Sequence, residues 1–212
     1  MISADSYEAV CFVGSDELCN FASKDNSTHD MEPQTTEQEF QQVLRQCRDL
    51  FQKKLQDYGS SWRIMRPASV TDQLFIKANR IRTLQEKGHA EVDEGIVPEF
   101  MAIVNYSLVG LIQLDLGAAE EADLVPEKAL ALYDDYARKT LSLMLRKNHD
   151  YGEAWRGMRV SSYVDLILMK IFRTKQIEDH AGRTMVSEGI DANYMDMANY
   201  AVFGLIKLDV EA

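Results

Sequence analysis

The chain repeats itself. Displaced against itself by about 93 residues, the sequence meets its own pattern, with Asp57-Tyr58-Gly59 falling on Asp150-Tyr151-Gly152. The first copy runs Asp57-Tyr58-Gly59-x-x-Trp62-Arg63-x-Met65-Arg66, Ser69-x-x-Asp72, Lys77, Arg80, then Glu94-Gly95-Ile96, Met101, Asn105-Tyr106, Gly110-Leu111-Ile112 and Leu114-Asp115. The second runs Asp150-Tyr151-Gly152-x-x-Trp155-Arg156-x-Met158-Arg159, Ser162-x-x-Asp165, Lys170, Arg173, Glu188-Gly189-Ile190, Met195, Asn199-Tyr200, Gly204-Leu205-Ile206 and Leu208-Asp209. Roughly 22 of about 59 positions coincide across one single-residue insertion, which makes duplication of an ancestral unit the reading. Two like units joined by a short linker stay in contact, so an approximate two-fold axis and paired clefts are expected.

The periodicity in each unit is helical. Phe40, Val43, Leu44, Cys47, Leu50, Phe51, Leu55 and Tyr58 recur at helix spacing, behind a capping box at Thr36-x-x-Glu39 and before Gly59 in the C-cap place. A second helix is expected from the box Ser69-x-x-Asp72 to about Lys87, with its twin from Ser162-x-x-Asp165 to about His180. A third, from about Pro98 to Leu116 and from about Ala192 to Val210, is apolar almost all round and belongs at the centre of a bundle. The fold class is therefore all-α, a tandem duplication of a three-helix unit in one pseudo-two-fold bundle. Repeat one spans 36–117 and repeat two 118–212, the latter opening on a linker that ends before Pro126. Residues 1–35 lack sustained periodicity and are expected to form a disordered extension, with Met31 the expected start of translation.

Charge narrows the function classes. Against 23 Lys and Arg stand 34 Asp and Glu, a net charge of -11, which disfavours bulk nucleic acid and anionic membrane. Three cysteines (Cys11, Cys19, Cys47) without metal-ligand spacing fit a reducing compartment, and no basic leader or unbroken apolar span is apparent, so a cytoplasmic location is expected. The four histidines show no ligand spacing.

The polar residues common to both halves are the candidates for chemistry. Trp62-Arg63 with Arg66, and Trp155-Arg156 with Arg159, set an aromatic beside two guanidinium groups in a loop, where Arg can grip phosphate and Trp can stack on a base. Lys77 and Arg80, like Lys170 and Arg173, share one helix face and add positive charge. The plainer alternative is that Trp and Met fill the core, Arg caps the carbonyls of the first helix, and the helix cations pair with acids such as Asp57 or Glu94. Asn193, Asp196 and Asn199 recur every three residues along one helix side below Glu188. Oxygen ligands so spaced suit Mg²⁺, with Glu188 and Asp196 as the catalytic candidates and Glu188, Asp196, Asn199 and Asp165 as the metal candidates. A buried polar network joining helices accounts for the same spacing, and the Ser-x-x-Asp spacing explains Asp165 as a capping residue without any ligand. Glu99 and Ala102 replace Asn193 and Asp196 in the first half, so the second half is the stronger metal candidate.

The string Asp-Tyr-Gly-x-x-Trp-Arg, with the later Glu-Gly-Ile and Asn-Tyr-x-x-x-Gly-Leu-Ile, resembles a bacterial family called the first nucleotide modification associated domain, in the duplicated form known from Bacteroides-type bacteria. The resemblance covers residues 36–212 and implies a role on nucleotides. The helical shape and acidic face are also similar to MazG-like all-α nucleoside triphosphate pyrophosphatases, which bind Mg²⁺ through Glu-x-x-Glu and Glu-x-x-Asp pairs. Here Glu188-x-x-Asp191 matches the second pair, and no Glu-x-x-Glu lies at the expected earlier place.

The leading expectation is a small-molecule nucleotide site that uses Mg²⁺ and hydrolyses a nucleoside triphosphate between its α and β phosphates. In it Glu188, Asp196 and Asn199 hold metal, Arg156, Arg159, Lys170 and Arg173 hold phosphates, and Trp155 or Tyr200 holds the base, with Trp62, Arg63, Arg66, Lys77 and Arg80 as the first-half counterparts. Two alternatives stand beside it: a non-catalytic helical interaction or oligomerisation module, acting as a pseudo-symmetric monomer or a homodimer, and a hydrolase of another phosphorylated small molecule such as a pterin triphosphate.

Overall fold

The computed structural model describes residues 35–88, 95–183 and 188–211. The extension expected over 1–35 lies outside them apart from Thr35, as do Met31 and Glu94. Among the described residues all regular structure is helical: α1 (Thr36–Tyr58), α2 (Pro67–Lys87), α3 (Val97–Leu116), α4 (Pro126–Tyr151), α5 (Val160–Asp179) and α6 (Ile190–Glu211). Short 3-10 turns at Ser61–Ile64 and Ala154–Gly157 join α1 to α2 and α4 to α5. The second three helices repeat the order of the first.

Three helix starts differ from the sequence reading. The α1 cap is Thr35 rather than Thr36, in a capping box whose second member is Gln38, not Glu39. The helices α2 and α5 begin before their Ser-x-x-Asp strings, at Pro67 and Val160, with Arg66 and Arg159 as N-caps that lend backbone carbonyls and no side-chain bond. A proline at the first helical position, with φ already helical, explains the earlier start of α2. Asp72 and Asp165 are thereby free of capping duty.

The two-fold expectation is met in the packing. Each helix lies against its own twin, α3 on α6, α2 on α5 and α1 on α4, and the cross contacts are reciprocal, α1 on α6 and α4 on α3. At the centre Gly110 of α3 receives the Tyr194 ring of α6, while Gly204 of α6 receives the Phe100 ring of α3. A Cβ at either glycine would stand 2.8 Å from ring carbon, so the closest approach of the central pair needs glycine at both places. At the surface Asp72 pairs with Lys175 at 2.5 Å and Asp165 pairs with Arg82, again one contact seen twice.

The buried core is continuous across both halves. By length and composition α3 could cross a membrane, but 61% of its most apolar window is buried inside the protein, which is the setting of a central core helix. The linker is pinned: Ser60 Oγ donates to the Leu124 carbonyl at 2.8 Å and the Ala119 N–H donates to the Arg63 carbonyl at 2.9 Å.

Candidate functional site

Each half carries a cleft between the end of its first helix, the following 3-10 turn and its third helix. The first, of about 330 Å³, is lined by Phe51, Lys54, Tyr58, Trp62, Asn105 and Tyr106, among others. The second, of about 270 Å³, is lined by Met144, Lys147, Tyr151, Trp155, Asn199 and Tyr200, with Asp196 beside them. These six are the duplication counterparts of the first six, and Met65 and Met158 also correspond. The repeat motif therefore converges in space. The Tyr of Asp-Tyr-Gly stands at the rim, the Trp of Trp-Arg on the wall, and Asn-Tyr on the third helix opposite.

The tyrosines come in facing pairs. Burial raises the Tyr58 phenol, and the nearby Tyr106 and Asp57 raise it further. In the second half burial raises Tyr200, with Asp196, Tyr151 and Glu188 adding to it. Tyr58 is 54% exposed and Tyr151 73%, so both rims open to solvent. A planar ring entering either cleft meets aromatic faces and one lysine.

The sequence-predicted cations are largely engaged. Arg63, 3% exposed, donates to Asp123 at 2.7 Å, to the Gly117 carbonyl at 2.7 Å and to Gln113. It is a clasp from the turn to the end of α3, which is the plainer of the two roles weighed for it, with α3 rather than α1 as the capped helix. Arg156 is more open and pairs with Glu39 and Glu153, both at 2.6 Å, above the Trp155 ring at 4.3 Å. The Glu39 hydrogen bond holds its guanidinium firmly charged, and the Thr36 hydroxyl, then Arg156, hold the Glu153 carboxyl below its ordinary range. The two turns are braced alike from the third helix: Gln113 donates to the Arg63 carbonyl, and Lys207, at Gln113's counterpart position, donates to the Arg156 carbonyl.

Lys77 and Arg80 both meet the buried Glu99, at 3.1 and 2.6 Å. Lys170 meets the buried Asp196 at 2.7 Å, and Lys147 takes the other carboxylate oxygen at 2.6 Å. The acid thus moves one turn along the third helix between halves, from Glu99 to Asp196, and each version anchors the equivalent lysine. Pairing was foreseen as an alternative, with other acids as partners. Arg66 and Arg159 are exposed, and Arg173 is half-buried.

The proposed metal ligands do not converge. Asp196 and Asn199 share the second cleft, Glu188 is exposed but close enough to act on Tyr200, and Asp165 pairs with Arg82 across α2 and α5. No three Asp, Glu, His or Cys side chains come together among the described residues. Both Asp196 oxygens accept from ammonium groups, and a dication there would stand beside two positive charges. That donor set does not fit Mg²⁺, which takes carboxylate oxygens free of competing cations.

The sequence reading missed Tyr58, Tyr151, Lys54 and Lys147 as cleft residues. The signal was present, since all four recur at the repeat offset, but helix periodicity assigned Tyr58 to the apolar face of α1.

Neither a curated protein nor a solved structure matches the chain. The sequence profile of the family described as Nucleotide modification associated domain 1 matches it twice, over residues 54–114 and 147–208, one match on each cleft-bearing half. The chain belongs to the Nucleotide modification associated domain 1 family, and carries two copies of that domain.

Proposed function

We propose that the protein binds a nucleotide and seats its base between the aromatic walls of a cleft. The observation that carries this reading is the convergence of the duplicated motif, Tyr, Trp and Asn-Tyr with a Lys beside them, into one concave site per half. Such a site offers stacking faces for a heterocycle; Lys54 offers charge for a phosphate in the first cleft, and in the second Lys147 and Lys170 share the single Asp196 carboxylate and leave one positive charge over. Trp62 and Tyr200 keep their sequence-assigned role at the base, Trp155, stacked on Phe203 and covered by Arg156, offers its edge, and Arg66, Arg159 and Arg173 are not among the residues that line either cleft. The family's name, with its reference to nucleotide modification, points the same way.

The reading is binding rather than hydrolysis. With both Asp196 oxygens held by lysines, the MazG-like scheme has no carboxylate cluster to work with among the described residues, and no step through Mg²⁺ follows from them. The test is a thermal-shift screen of the full chain against nucleoside mono-, di- and triphosphates with and without Mg²⁺. A ligand at 100 times its dissociation constant adds about 2.7 kcal/mol. A nucleotide-dependent rise in Tm that needs no Mg²⁺ is the expected result. A rise that requires Mg²⁺ and vanishes in Asp196→Asn would favour the hydrolytic scheme instead.

A second reading, a module that works through a protein partner or a second copy, draws on Ile76, Met169 and Phe172, large apolar side chains about half exposed on α2 and α5. It predicts no shift with any nucleotide.

A further inference from the structure

The two clefts share a shape but differ in what their buried polar groups lack. In the first half Asn105 is fully engaged: the Tyr133 hydroxyl donates to its Oδ1 at 2.7 Å, and its Nδ2 donates to the Cys47 carbonyl at 3.2 Å. The counterpart of Tyr133 in the second half is Phe40, which has no hydroxyl and packs edge-on against Phe203 of the second cleft at 5.8 Å. Asn199, 4% exposed, is left with an unpartnered Oδ1, and Trp155, 6% exposed in the same cleft, has an unpartnered indole Nε1; the Trp62 Nε1 of the first cleft is likewise without a partner, so the Asn acceptor is what separates the two clefts. Buried polar atoms without partners are uncommon because folding gives up their water without return. One donor and one acceptor stand unpaired in a single aromatic-walled cleft.

We infer that the second-half cleft is the one that reads the base: the Trp155 indole N–H donates to an acceptor of the heterocycle, and the Asn199 amide oxygen accepts from an amino or imino N–H of the same ring. The ligand class is a nucleobase that carries both a hydrogen-bond donor and an acceptor. The first-half cleft, whose Asn105 is satisfied from within, offers the Trp62 N–H but no free amide acceptor, and so does not select a base by its amino or imino N–H. This rests on the nucleotide-binding reading and adds to it which half selects, and by what chemistry.

The test is calorimetric titration of the full chain with the 5′-monophosphates of adenosine, guanosine, cytidine and uridine. Each is compared with purine riboside 5′-monophosphate, whose base has ring acceptors and no N–H donor. For at least one of the four, affinity about tenfold above that of purine riboside 5′-monophosphate is expected, the effect of one well-made hydrogen bond. Asn199→Leu should bring that ratio toward one, Asn199→Asp, which keeps an acceptor oxygen, should retain it, and Trp155→Phe, which keeps a ring and drops the N–H, should weaken the preferred nucleotide and purine riboside 5′-monophosphate alike, by about tenfold. Circular dichroism checks the fold of each variant, and the loss of affinity in Trp155→Phe carries the test if Asn199→Leu does not fold. A ratio unchanged in Asn199→Leu, or an affinity unchanged in Trp155→Phe, with nucleotide still bound, overturns the inference and leaves the nucleotide reading standing. No binding of any nucleotide by the unaltered chain overturns that reading, and the inference with it.

Discussion

Two arginines at equivalent places in the sequence do different work. Arg63 is buried, with its donors spent on Asp123, Gln113 and the end of α3, so Arg63→Ala removes a charge-assisted clasp. A loss of about 3 kcal/mol is expected in urea denaturation, against about 1 kcal/mol for the more exposed Arg156→Ala. Equal losses would mean that the burial difference carries no energy. Glu178 offers a pH test. Burial raises its carboxyl, and the hydrogen bond from Thr71 at 2.7 Å pulls only partly the other way. A carboxyl raised in the folded state is protonated more readily there than in the unfolded chain. Stability therefore falls as pH climbs through the unfolded value of 4.5 to the folded one, and is level above it. Glu178→Gln removes that fall and should be more stable than the parent at pH 7, with the gap closing below pH 4.5. A gap that stays constant with pH would contradict the assignment. Neither behaviour was legible in the sequence, because Trp-Arg reads alike in both copies. The acid that meets each Arg comes from a linker in one half and from α1 in the other.

At the scale of elements, the repeat dictates how the central helices meet. Gly110 and Gly204 coincide in the self-alignment, and the structure gives the cause: each accepts an aromatic ring from the opposing third helix. Alanine would favour the isolated helix by about 1 kcal/mol, yet its Cβ would press on the ring, and overpacking costs about 1–3 kcal/mol. A net loss of about 1 kcal/mol is expected in urea denaturation for each of Gly110→Ala and Gly204→Ala. Trimming the ring opposite, as in Gly204→Ala with Phe100→Leu, should cost less than the sum of the two single changes. A stabilising effect of either single change would show that the helices do not pack at these glycines. By contrast Asp165→Asn, which breaks one exposed pair with Arg82, should change stability by under about 1 kcal/mol. Helix ends were legible to within a residue or two where Gly or Pro marks them, at Tyr58, Lys87, Leu116 and Pro126. They were misread where Ser-x-x-Asp offered a capping box, because Pro67 had already fixed the first turn of α2 and its twin followed the same geometry.

At the scale of the molecule, duplication makes one continuous core from two units whose twin helices pack against one another. It also places two like clefts where the motif residues gather. That the clefts would come in pairs was legible from the repeat alone, as were Trp62, Trp155 and Tyr200 as members. The pairing of Asp196 with Lys147 and Lys170 was not, because it depends on how far α4 and α5 slide along α6, which helix periodicity does not encode. The same pairing separates the acidic face from a metal role. The chain has two tryptophans, and each lines one cleft, so intrinsic fluorescence watches both sites without a label. The most direct test of the nucleotide-binding account is a tryptophan fluorescence titration of the full chain with nucleoside 5′-monophosphates, with ribose 5-phosphate as the ligand lacking a base. Saturable quenching by a nucleotide, absent with the sugar phosphate, is predicted from a base stacked against the cleft wall. Fluorescence that stays unchanged while calorimetry records nucleotide binding would place the ligand elsewhere and contradict the account.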